Sequence, residues 1–302
     1  MDKGQSVLDK LRNKARNEGK SAQKLLQLFC QEEFLRRLEH SVYYNNFILK
    51  GGLLLYCLSE FRSRPTMDID FEMRYLSNTA ENIAKIIMEI LSAETENDFI
   101  SFELLKTGLI TEQKEYHGIR INLRAHIKNT RTPFHIDLGV GDVIIPNPEP
   151  RELPTQLDEF EKPKVLTYSL ESTIAEKFEA IISLMELSSR MKDYYDIYFL
   201  ASSYTFDARK LQEAVCETLK TRGTSYESNT LDKVRVFQED KDMNQKWRNF
   251  TKTLETNIGF VEVIETLYAF MLPIFNAIIK EREIFGTWNP HNNSYEKCNK
   301  VI

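Results

Sequence analysis

Phe47-Ile48-Leu49-Lys50-Gly51-Gly52 and, after one interval, Met67-Asp68-Ile69-Asp70-Phe71 decide how this chain folds and where its chemistry lies. Phe47 to Leu49 is a short apolar run suited to a buried strand. Lys50-Gly51-Gly52 interrupts it, Leu53 to Phe61 resumes as an apolar helix, and Arg62-Ser63-Arg64-Pro65 breaks the chain again. The predicted order is strand, glycine turn, helix, strand. In the second strand Met67, Ile69 and Phe71 alternate with two aspartates, so a period of two places both carboxylates on one face.

Aspartate is disfavoured in strands, and two like charges this close need a positive neutraliser. A hard divalent cation takes one or two carboxylates plus substrate phosphates, so Asp68 and Asp70 suit a metal–nucleotide site. Read alone, the same pattern also describes a solvated edge strand. Two glycines at a strand-to-helix turn let backbone N–H groups approach an anion, and the following helix adds its positive end, although a plain left-handed turn would use the same residues. A third carboxylate, Asp137, sits in the alternating run Phe134-His135-Ile136-Asp137-Leu138. If that strand lies beside the first, Asp137 completes a three-carboxylate site able to share a metal and accept the proton of an attacking hydroxyl.

Around this centre the chain is ordinary globular protein. It has 302 residues, 28% charged and 42% hydrophobic, with a net charge of −5, so no global basic field holds polyanions. Cys30, Cys57, Cys216 and Cys298 lie far apart without metal-ligand or disulfide spacing, which suits a reducing compartment. Met1 to Lys24 has no apolar leader core, and Glu262, Glu265 and Pro273 interrupt the apolar stretch Phe260 to Ile279. The expectation is a cytoplasmic protein, neither exported nor membrane-spanning.

Five prolines, Pro146, Pro148, Pro150, Pro154 and Pro163, fall between Ile145 and Lys164. They predict an α/β domain over 1–145, a connector over 146–164 and a mostly helical domain over 165–302 without a convincing strand. Gln23 to Leu38 reads as a core helix of the first domain, and Thr167 to Tyr204 and Phe260 to Ile284 as helices of the second. Thr221 to Asn229 reads as a loop.

In the second domain Ile174, Phe178, Ile181, Ile182 and Met185 form an apolar stripe with Lys177 at its border, on a helix that Thr173 and Glu176 could cap. Lys177 either extends toward a cleft or is simply solvated. Asp193 and Asp196 share a helix face, with Lys192 spaced to pair with Asp196. Between Lys106 and Arg131 six basic residues face two acids, Glu112 and Glu115, and Arg120, Asn122, Arg124, His126 and Lys128 alternate along one side of a predicted strand. That face fits a polyanionic acceptor, and equally a solvated sheet face with cations guarding an edge.

Lys50-Gly51-Gly52, Arg64-Pro65-Thr66-Met67-Asp68-Ile69-Asp70 and Asp137 together resemble the nucleotidyltransferase superfamily of the DNA polymerase β-like fold. With Ala175-Glu176-Lys177, Ala180 and Lys192-Asp193-Tyr194-Tyr195-Asp196, the pattern is similar to the AbiEii/AbiGii nucleotidyltransferase toxins over about Phe47 to Leu200. The separation of the Gly-Gly pair from the DxD pair is wider than in minimal superfamily members.

The resemblance implies a polymerase β-like α/β domain with a mixed sheet, followed by a helical domain contributing Lys177 and Asp193 to the cleft. It implies a nucleotidyltransferase using Mg²⁺ or Mn²⁺ and a nucleoside triphosphate, with metal on Asp68, Asp70 and Asp137. Lys50, Gly51, Gly52, Arg64, Thr66 and Lys177 would serve the nucleotide, and Asp193 would orient it or Lys177. It further implies a toxin of a bacterial toxin–antitoxin or abortive-infection system, encoded beside an AbiEi-like antitoxin, that modifies the tRNA 3′ end and blocks translation. Arg120, Arg124 and Lys128 would carry the RNA. The alternatives are a protein or small-molecule hydroxyl as acceptor, or a non-catalytic nucleotide or RNA sensor on the same fold.

Overall fold

The computed structural model describes residues 2–110, 118–254 and 256–296; Cys298 and the acids Glu112 and Glu115 lie outside them. The chain divides into two compact units, one made of Met1–Asp142 with Pro148–Tyr168, the other of Val143–Asn147 with Ser169–Ile302.

The first unit contains helices α1 (Lys3–Asn17), α2 (Ala22–Glu39), α3 (Gly51–Leu58) and α4 (Ala80–Leu91). Its strands are β1 (Phe47–Lys50), β2 (Ile69–Met73), β3 (Ile100–Ile110), β4 (Gly118–Ile127), β5 (Thr130–Gly139), β6 (Glu149–Glu152) and β7 (Lys164–Thr167). They form one mixed sheet in the order β3-β4-β5-β2-β1-β7-β6. The pairs β2–β5 and β1–β7 are parallel and the others antiparallel. The alternation read in the sequence sorts the two faces: Ile119, Ile121, Leu123 and Ala125 of β4 and Phe134, Ile136 and Leu138 of β5 are buried, while the polar residues between them are not.

Helix α2 is buried on almost every side. Each of its large apolar side chains removed from water contributes about 1.5–3 kcal/mol. Among its buried polar residues, Glu33 accepts hydrogen bonds from Arg36 at 3.0 Å, Asn97 at 2.7 Å and Thr95 at 2.6 Å.

Within the stretch expected to be a connector, 146–164, Glu149–Glu152 and Lys164 belong to this sheet. β6 and β7 pair with each other, and β7 pairs with β1. Four-residue strands are too short to show a period, and Pro150 is tolerated because β6 is an edge strand.

The second unit contains α5 (Leu170–Leu184), α6 (Met191–Ser203), α7 (Ala208–Thr221), α8 (Thr230–Val236), α9 (Lys241–Lys252) and α10 (Phe260–Ile279). It also has a small antiparallel sheet of β8 (Phe206–Asp207), β9 (Thr287–Asn289) and β10 (Ser294–Glu296), so the expectation of no strand there is corrected. These strands are held by tertiary packing: Trp288 of β9 is fully buried, with its indole N–H donating to Ala201 O at 2.7 Å. α10 is long and apolar enough to cross a membrane by length and composition; half of its most apolar stretch is buried within the protein. The cap of α5 is Ser169, whose hydroxyl accepts the Ser172 N–H at 3.1 Å, in place of Thr173 and Glu176. The helix starts one turn earlier than its apolar stripe, so the residues first in the stripe are already interior.

Candidate active site

β1 ends at Lys50 in extended backbone, and Gly51 at φ +69° turns the chain into α3. Lys50, at the N-cap position, makes no side-chain capping bond to α3. A Cβ built on Gly51 would stand 2.2 Å from Asp70 Oδ2, and one on Gly52 would stand 3.0 Å from Thr66 Oγ1 and 3.3 Å from an Arg64 guanidinium nitrogen. Gly51 is therefore required for the turn to sit against the DxD strand, while a side chain at Gly52 would make Thr66 and Arg64 give way by a few tenths of an ångström.

The sheet register brings the sequence motifs into one row. Lys50 is opposite Asp70, Asp70 is opposite Asp137 on the parallel neighbour β5, and Asp137 is opposite Arg120 on β4. Asp68 lies just before β2 begins, outside the ladder, and its Oδ1 is 2.9 Å from His135 Nε2. His135 precedes Asp137 by two on β5, so it shares that residue's face. Sequence reasoning left His135 unassigned; its place in the alternating Asp137 strand was the available signal.

Arg120 grips Asp137 with two bonds, Nε to Oδ1 at 2.7 Å and a terminal nitrogen to Oδ2 at 2.6 Å. Such a planar fork fixes the carboxylate's orientation. Lys50 Nζ lies 3.0 Å from Glu72, 2.9 Å from Asp142 and 3.4 Å from the Tyr168 hydroxyl. Burial pushes the Glu72 carboxyl up, against the pull of Lys50. Glu72, Asp142 and Tyr168 were missed because nothing in their local sequence brings them to Lys50.

The structure places the other two expected RNA contacts in ion pairs as well. Arg124 is 2.9 Å from Glu103, which His126 also approaches at 3.2 Å, and Lys128 is 2.8 Å from Asp2.

In the second unit Lys177 is nine-tenths buried, 2.6 Å from Asp196 and 3.3 Å from Asp193. Arg190 Nε donates to the other Asp193 oxygen at 2.6 Å. Asp196 thus pairs with Lys177 in the structure, whereas Lys192 was the partner expected from spacing; the two helices α5 and α6 pack together and supply a cation from the interior. Burial pushes the Asp193 carboxyl up, but Lys177 and Arg190 outweigh it and hold the group below its ordinary value.

Among the described residues no three His, Cys, Asp or Glu side chains form a ready metal cage. The donor set at β2 nevertheless fits a hard cation of the kind that takes one or two carboxylates and completes its shell with substrate phosphates. With no Cβ on Gly51, the Asp70 carboxylate packs directly against the start of α3.

The family described as "Nucleotidyl transferase AbiEii toxin, Type IV TA system" matches residues 33–260. The chain belongs to this family. AbiEii membership makes it a nucleotidyltransferase toxin of a type IV toxin–antitoxin system and implies a nucleoside triphosphate substrate and an antitoxin partner. Its fold is similar to that of MenT4, a nucleotidyltransferase toxin from Mycobacterium tuberculosis, with TM-score 0.54 and 15% identity over 90% of this chain and 99% of that one. JHP933 from Helicobacter pylori aligns at TM-score 0.49 and 16% identity over 86% of this chain and 95% of that one. No curated protein matches the chain. For this AbiEii protein the mixed sheet agrees with the expected polymerase β-like fold.

Proposed function

We propose that this AbiEii-family protein works in the cytoplasm and transfers a nucleoside monophosphate from a nucleoside triphosphate to the tRNA 3′ end, releasing pyrophosphate. The observation that carries this is the Asp70–Asp137 pair, in register on parallel strands with Gly51 pressed against Asp70. Asp68 and Asp70 would hold Mg²⁺ or Mn²⁺, with Asp137 beside them. When bound, the metal neutralises charge on the phosphates and on the leaving oxygen.

The chain's own residues do the rest. Amides at the start of α3 take phosphate oxygens at Gly51 and Gly52. Arg64 and Thr66, packed on Gly52, shape the entry to the DxD strand, while Lys50 anchors the end of β1 through Glu72 and Asp142. Asp137, aimed by Arg120, accepts the proton of the acceptor hydroxyl as its oxygen attacks the α-phosphorus and pyrophosphate leaves. Lys177, held by Asp193 and Asp196, would neutralise charge on the triphosphate. The antitoxin would be an AbiEi-like protein encoded nearby.

A second acceptor class, a protein or small-molecule hydroxyl, is favoured by one observation: Arg120, Arg124 and Lys128 each face a carboxylate. The test incubates the protein with total tRNA, Mg²⁺ and each α-³²P-labelled triphosphate, using Asp70→Ala as control. Label on RNA with the parent protein alone is the expected result. Label on protein moves the acceptor to the second class, and binding without any turnover makes the chain a sensor.

A further inference from the structure

Met67, the residue before Asp68, lies outside the sheet ladder, which begins at Ile69, so its carbonyl has no strand partner from that ladder. Two side chains of α2 reach it instead. Gln27 Nε2 and Gln31 Nε2 each donate to Met67 O at 2.7 Å. They are one helical turn apart and converge on both lone pairs of a single oxygen. Gln31 is 1% exposed and Gln27 9%. Gln31 Oε1 is buried without a hydrogen-bond partner. A leucine would fill that site without stranding an oxygen, so the packing does not explain the glutamine, whereas the bond to Met67 does.

We propose that Gln27 and Gln31 are positioning residues that pin the Met67 carbonyl and thereby set where the Asp68 carboxylate stands relative to Asp70. Only two backbone torsions separate the pinned carbonyl from the Asp68 side chain, so releasing it lets that carboxylate drift while Asp70 stays locked in the ladder. Partners behind a ligand tune metal affinity in this way, and their loss costs about 10- to 100-fold. The inference rests on the proposed cation site at Asp68 and Asp70.

Electron paramagnetic resonance of Mn²⁺ alone, counting free ion during titration, tests it without any turnover. The proteins compared are the parent, Gln27→Leu, Gln31→Leu, the double variant, and Asp70→Ala to define the site. The double variant is expected to weaken Asp70-dependent Mn²⁺ binding about tenfold, with each single variant, which keeps one bond, in between. Thermal melting separates this from misfolding, and amide exchange is expected to quicken locally at 66–69. Unchanged Mn²⁺ affinity in folded variants overturns the inference, as does the absence of any Asp70-sensitive Mn²⁺ binding in the parent. If the Mn²⁺ shift is found but the parent transfers no nucleotide, the positioning role stands and the transferase reading fails.

Discussion

Gly51 and Asp70 are in such close approach that a methyl group on the glycine would stand 2.2 Å from the carboxylate oxygen. The glycine also holds φ at +69°, which costs an L residue about 1–2 kcal/mol. Gly51→Ala is therefore expected to lower stability by at least that amount in urea denaturation. Nucleotide transfer should vanish even where the protein stays folded, because Asp70 must rotate away. Full transfer by Gly51→Ala would show that the turn is not part of the site.

Arg120 distinguishes two roles that the sequence left together. If it acts by aiming Asp137, Arg120→Gln should lower kcat while leaving RNA affinity and its salt dependence unmoved. Its pair is partly exposed, so stability should change by no more than about 1 kcal/mol. Arg124→Ala and Lys128→Ala should instead weaken RNA binding and flatten its dependence on salt if that face carries the acceptor. Filter binding across a salt series, set beside steady-state transfer rates, separates the cases.

Lys177 is the cation shared by two buried carboxylates, and removing it leaves Asp196 without that charge. Lys177→Met is expected to destabilise by about 3 kcal/mol. The Asp193 carboxyl is held below its ordinary value, so its contribution is complete above pH of about 4 and is lost as pH falls through the lowered value. The stability gap between the parent and Asp193→Asn should accordingly be full at neutral pH and narrow in acid. A gap that does not change with pH would mean that charge plays no part in it.

Glu32 has the opposite sign. It is buried in α2, and burial raises its carboxyl to about 8 although Arg36 and the Gln156 N–H pull it down. The native state keeps the proton while the unfolded chain loses it near its ordinary value of 4.5, so stability falls as pH rises between these values and is level above. Glu32→Gln retains an oxygen for the Gln156 N–H and removes the slope, which is at most about 1.4 kcal/mol per pH unit. The variant should match the parent in acid and exceed it in mild base. Urea midpoints measured from about pH 5 to about pH 9 decide this, and parallel curves would count against it.

The chemical identity of the site was legible in local sequence because strands and turns write their geometry at short range. Alternation around Ile69 and Ile136 placed Asp70 and Asp137 on polar faces, and the Gly-Gly interruption marked the strand-to-helix turn. Family membership was likewise legible in the order of these motifs. Long-range partnerships were not. That β2 and β5 are adjacent and parallel, that Arg120 clasps Asp137, that His135 meets Asp68, and that Lys177 takes Asp196 from Lys192 all depend on which elements pack together. Periodicity assigns a side chain to a face; only the tertiary structure decides which charge from a distant segment arrives there, since burial rewards pairing regardless of separation along the chain. The same reason hid Gln27 and Gln31, two buried polar residues of α2 whose purpose appears only when the Met67 carbonyl is brought against them.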